Sequence, residues 1–201
     1  MRASRRTAAA LLISGAALVT ACGDAPHATA PAPTLAIGVG HLEGITSFMV
    51  HPGRATSQLL GEHRIKFDAD AICDPRTSTY GPGEWDAPCE VARSPVRVTA
   101  TTWRDANGRP RVDFEPALRF HPDANVTLYL MDREASADTA NATIYWVDPL
   151  GNLVDESLTD PSVATYVGPN GFLFRRLKHF SGYVIVIGRE SYESSESSEL
   201  Y

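Results

Sequence analysis

Apolar residues recur at every second position in much of this chain, a period that suits strands with one buried face. Residues 65–67 (IKF), 96–103 (VRVTATTW) and 111–114 (RVDF) alternate in this way. Residues 126–131 (VTLYLM), 142–147 (ATIYWV), 172–174 (FLF) and 183–187 (YVIVI) are rich in the β-branched and aromatic residues that pack well on a pleated surface. Turn-forming residues separate them at 105–108 (DANG), 148–152 (DPLGN) and 169–171 (PNG). Asn-Gly pairs tolerate positive φ and favour tight hairpins. No window longer than a turn or two has helical periodicity, and no internal repeat is evident. The pattern predicts an all-β domain, a single antiparallel β-sandwich of immunoglobulin-like type, over residues 35–189. A stretch of that length is one domain's worth and can bury a sizeable core.

The segments on either side read differently. Arg2, Arg5 and Arg6 precede an apolar run from Ala8 to Val19, and Val19-Thr20-Ala21-Cys22 has the form of a lipobox. Residues 1–21 are therefore expected to be a lipoprotein signal peptide, with Cys22 accepting the lipid. An ordinary secretory signal ending in a chance cysteine is the alternative. The run is too short to cross a bilayer as a mature helix. Ser4-Arg5-Arg6-Thr7 partly resembles a twin-arginine signal, which leaves the export route open. Residues 22–34 are rich in Pro, Ala and Thr and predict a flexible tether. Residues 190–201 (ESYESSESSELY) predict a disordered acidic tail.

Removal of residues 1–21 takes away three arginines and no acid, so 15 basic and 24 acidic side chains leave a formal charge of −9. That balance argues against nucleic acid and against polybasic adhesion to anionic lipid. Membrane attachment would come from the lipid on Cys22. The location implied is the outer face of the cell membrane or the outer membrane, where the partner would be an envelope or extracellular protein that the sequence does not name.

With Cys22 consumed by lipid, Cys73 and Cys89 are left to pair as a disulfide, as suits an exported chain. Closing a loop of that length contributes roughly 3 kcal/mol on the chain-entropy estimate. The loop's Tyr80 and Trp85 are candidates for a ligand-contact tip or for pinning the loop to the body. No closely spaced ligand set suggests zinc, and no cofactor motif is present. Asp68, Asp70 and Asp74 lack the glycine and terminal glutamate of a calcium loop, and read as a solvated strand end. Asp113 and Glu115 share a strand face and could form an acid/base pair, although the wet side of a sheet is the plainer reading. His41, His51, His63 and His121 are scattered and read as surface or loop residues.

Residues 177–186 (LKHFSGYVIV), with 114–120 (FEPALRF) upstream, resemble the β-sandwich domain shared by zonula occludens proteins, netrin receptors and ankyrins, the ZU-five domain, and its bacterial relatives. The resemblance spans roughly residues 95–188 and does not clearly include 35–94. It favours protein–protein contact. Some members of that family, and the similar function-to-find domain of inflammasome sensors, cut themselves between Phe and Ser of an H-F-S motif. By that resemblance Ser181 would be the nucleophile, His179 the general base, and Phe180–Ser181 the scissile bond. The structural alternative has His179 capping a strand end, Phe180 filling the core and Ser181-Gly182 making a bend. Three functions follow as expectations: a non-enzymatic interaction or structural lipoprotein, a self-cleaving module, and a carbohydrate- or cell-wall-binding protein.

Overall fold

Alternation along the sequence becomes alternation in burial. A computed structural model describes residues 40–132, 142–168 and 171–187. The signal peptide, Cys22, the tether, the acidic tail and part of the 169–171 turn lie outside the described residues. The strands are β1 (His41–Val50), β2 (Thr56–Leu60), β3 (His63–Phe67), β4 (Val96–Arg104), β5 (Pro110–Glu115) and β6 (Val126–Met131). They continue with β7 (Ala142–Val147), β8 (Leu153–Val154), β9 (Tyr166–Val167), β10 (Phe172–Leu177) and β11 (Gly182–Ile187). Two 3-10 helices, Glu156–Leu158 and Pro161–Val163, interrupt the connection from β8 to β9, capped by the Asp155 and Asp160 carboxylates.

The strands form an antiparallel β-sandwich. One sheet has the order β1-β4-β5-β11-β7-β8, the other β2-β3-β6-β10-β9. Phe67, Val98, Val112, Phe114, Val126, Leu128, Ile144, Leu173 and Ile185 face inward and build one continuous core. The last strand is inserted in the middle of its sheet. Tyr183 and Val184 pair with Val112 and Arg111 of β5, and Gly182 to Ile187 pair with β7 from Val147 back to Ala142.

β1 and His63 depart from the sequence reading. β1 is ten residues long, yet within it only Phe48 and Val50 are buried. An edge strand with one neighbour needs few inward apolar residues, so it carries little of the period-two signal. His63 is fully buried, not a surface or loop residue. His63, Ile65 and Phe67 share the inner face of β3, its Nδ1 accepts from the Met131 amide at 3.0 Å, and its Nε2 lies 3.2 Å from Glu43.

Candidate active site

The H-F-S segment is the link that carries the chain from one sheet to the other. Leaving β10, it pairs with the stretch after β5: the Phe120 amide donates to Lys178 O at 2.9 Å, and the Phe180 amide donates to Leu118 O at 2.7 Å. Phe180 anchors the crossing. Its ring is fully buried, stacked on Phe114 at 4.3 Å and edge-on to Phe120 and Phe67 at 4.8 and 5.8 Å. Ser181, half-buried, follows at the entry to β11. No residue from His179 to Gly182 has a positive φ, so this link carries no left-handed backbone.

His179 is fully buried beneath it. Its Nε2 lies 3.0 Å from Glu156 Oε1, while Glu156 Oε2 accepts from Arg175 at 2.7 Å. Burial pushes the Glu156 carboxyl up, but the His179 hydrogen bond and the Arg175 charge outweigh it and hold the group below its ordinary value. An ionised carboxylate accepts only, so Nε2 carries the ring proton and Nδ1 presents a lone pair. Two hydroxyls lie 3.4 Å from Nδ1, those of Ser181 and Tyr183. Tyr183 spends its single proton on the His179 carbonyl at 2.8 Å. The Ser181 hydroxyl, which also meets the hydroxyls of Tyr80 and Tyr183, is the group within reach that can donate to Nδ1. Burial holds His179 below its ordinary pKa, overcoming the upward pull of Glu156, so the imidazole is neutral at pH 7. A neutral imidazole with a serine hydroxyl on one nitrogen and a carboxylate on the other has the parts of a general base.

The disulfide loop lies over this arrangement. Cys73 and Cys89 are bonded, with their Cα atoms 5.6 Å apart. The Tyr80 hydroxyl donates to Phe180 O at 2.5 Å. Trp85 stacks on the His179 ring at 4.0 Å, and Trp146 meets that ring edge-on at 4.9 Å. Arg119 donates to the loop carbonyls Glu84 O, Ala87 O and Pro88 O, and Lys178 Nζ pairs with Asp86. Both aromatic candidates thus contact the H-F-S segment. Tyr80 remains 40% exposed although its hydroxyl points inward.

The remaining candidates do not converge. Asp68 accepts from the Asn125 amide, Asp70 from the Gly53 amide, and Asp74 from Arg76, three separate local tasks. Among the described residues no group of three or more His, Cys, Asp or Glu side chains could hold a metal ion. Glu115 is exposed, but Asp113 is not simply on a wet face. Its carboxylate stands beside Gly182, and burial pushes its pKa up to about 6. A raised carboxyl pKa means that the folded state holds its proton longer, so stability falls as pH rises from about 4 through 6. Asp113→Asn is expected to stabilise the fold by up to about 3 kcal/mol at pH 7 and to leave little change at pH 4, as measured by urea unfolding at both values.

Glu156 and Arg175 complete the site without having been singled out in the sequence, together with Trp146 and with Tyr183, the tyrosine of the H-F-S-G-Y segment. Glu156 sits in the acidic stretch DESLTD, which reads as solvated loop. Arg175 did leave a signal. Leu173, Arg175 and Leu177 share the inner face of β10, and an arginine at an inward position demands a buried counter-charge. Set against known proteins, the chain matches no family model, and no curated protein or solved structure is similar to it.

Proposed function

We propose that this protein is an exported lipoprotein, held by a lipid on Cys22, whose β-sandwich cuts its own chain between Phe180 and Ser181. The observation that carries the reading is the line Ser181 Oγ, His179 Nδ1, His179 Nε2, Glu156 Oε1, with spacings of 3.4 and 3.0 Å, next to that one peptide bond. The H-F-S-G-Y likeness to the ZU-five domain points the same way.

The chemistry balances within the chain and one water. Ser181 Oγ attacks the Phe180 carbonyl carbon while its proton passes to His179 Nδ1. Glu156 steadies the resulting imidazolium. The tetrahedral adduct collapses by breaking the C–N bond, and His179 returns the proton to the departing Ser181 nitrogen. An ester between Phe180 and the Ser181 oxygen results. Water then attacks the ester carbonyl and breaks its C–O bond, leaving a Phe180 carboxylate and a free Ser181 amine and hydroxyl. The C-terminal piece would stay in place, because β11 lies between β5 and β7. The product is a two-chain sandwich.

The test is intact-mass analysis of the full chain purified after export. A fragment beginning at Ser181 is expected, and Ser181→Ala is expected to abolish it. A wild-type chain that stays whole for days at neutral pH overturns the reading. A second reading, a non-catalytic contact module, draws on Leu42, Ile45 and Met49, which are 56%, 65% and 38% exposed along the edge strand β1. A whole wild-type chain in the same analysis favours it. A carbohydrate- or cell-wall-binding role has weaker support, since one face of Trp85 is taken by His179.

A further inference from the structure

Resting on the self-cleavage reading, we propose that Tyr80 is a catalytic residue of the reaction, donating its hydroxyl proton in a hydrogen bond to the Phe180 oxygen as that atom gains charge, and that closure of the Cys73–Cys89 disulfide brings it there. Self-cleavage is then conditional on an oxidising compartment.

The first half rests on position. The acyl oxygen that becomes the oxyanion is Phe180 O, and the Tyr80 hydroxyl already donates to it at 2.5 Å. Donors aimed at the place where charge develops strengthen as the transition state forms, and in a water-poor site they act with little reorganisation. The phenol is suited to the task. Burial raises Tyr80 to about 12, against a smaller downward pull from the Ser181 hydroxyl, so it keeps its proton at neutral pH. Tyr80 donates a hydrogen bond throughout and transfers no proton.

The second half rests on how Tyr80 is held. It belongs to no strand, and its place follows from the loop that Cys73 and Cys89 close. The stem of that loop is fixed to the body by Cys73 N–H to Arg119 O at 3.0 Å and Asp74 N–H to Glu90 O at 2.7 Å. Its tip is fixed by the Arg119 contacts, by Lys178–Asp86, and by Trp85 lying on His179. Tyr80 packs edge-on against Trp85 at 4.8 Å. The same loop therefore positions the donor and shields the base from water. Opening the disulfide restores chain entropy to all of it. Closure requires the two thiols to give up two protons and two electrons to a disulfide-bearing oxidant, such as those of exported compartments.

The experiment follows the Ser181 fragment over time in full chains made by translation in vitro under reducing conditions. In wild type, the chain is expected to stay whole until oxidised glutathione is added, then to cut. Tyr80→Phe, oxidised in the same way, is expected to cut about 100-fold more slowly, the usual cost of one oxyanion donor. Its folding is checked by thermal unfolding of Y80F in the uncut Ser181→Ala background, which should stay a single cooperative transition, with a midpoint below that of Ser181→Ala alone by no more than the loss of one hydrogen bond costs. Cutting of a folded Y80F chain at the wild-type rate overturns the role of Tyr80. Cutting at full rate before oxidation, or in Cys73→Ser/Cys89→Ser, overturns the redox condition. In both cases the self-cleavage reading stands, whereas an oxidised wild-type chain that never cuts removes that reading itself.

Discussion

Glu156→Ala is expected to destabilise the sandwich by about 3–5 kcal/mol, the cost of leaving a buried charge without its partner. The charge left behind is Arg175, which is 1% exposed. Once the carboxylate is gone its guanidinium keeps Ile144 O at 2.6 Å, a longer contact to Arg176 O and the Tyr183 ring at 5.7 Å, none of which carries a negative charge. His179 loses its Nε2 acceptor in the same step. The variant should be measured by urea unfolding in the Ser181→Ala background, so that one uncut chain is compared with another. A Glu156→Leu, Arg175→Met pair is expected to recover much of the loss, since replacing both members of a buried ion pair by apolar groups removes the unpaired charge. The pH dependence has a definite sign. Glu156 is held below its ordinary value, so its contribution is present at neutral pH and lost as the pH falls through its folded-state pKa. The gap between Ser181→Ala and its Glu156→Ala variant should therefore narrow in acid. A loss under about 1 kcal/mol at pH 7 would show that water reaches Arg175 and that this charge is not buried in solution.

Phe180→Ala in the same background is expected to cost about 3–5 kcal/mol, as large-to-small changes of fully buried phenylalanines do. Phe180 packs against Phe67, Phe114 and Phe120, and so joins side chains of β3, β5 and the stretch after β5. Its loss leaves a hole where three aromatic rings converge. Phe180→Leu keeps most of the apolar volume and should lose less. Equal losses for the two variants would mean that the site collapses around either residue. In the proposed self-cleavage the same ring would set the geometry, because a rigidly seated Phe180 fixes the carbonyl that Ser181 would attack.

The elements that could be read in advance were those with a strong local pattern. β4 to β7 and β11 stand where alternation and β-branched runs place them, and the disulfide joins Cys73 and Cys89. The apolar pattern marks β10 only as far as Phe174, because the Arg175-Arg176 pair interrupts the apolar run. β1 leaves no period in the sequence because this edge strand buries only Phe48 and Val50. A lone histidine such as His63 says nothing about its face until its strand is known. Of the site, the H-F-S segment was legible, but its carboxylate was not: Glu156 lies 23 residues from His179 in a stretch that looks like an acidic loop.

The sequence by itself determined an all-β sandwich, a paired Cys73 and Cys89, and a His-Phe-Ser segment that leads into a core strand. These depend on period, composition and short-range order, which are properties of neighbours along the chain. Only the tertiary structure decided that Glu156 meets His179, that Arg175 is buried beside it, and that Tyr80 reaches the Phe180 carbonyl across 100 residues of chain. Such pairings depend on which faces of the two sheets meet and where loops fold back over them. Burial then turns an acidic loop residue, an inward arginine and a loop tyrosine into one hydrogen-bonded group around a single peptide bond.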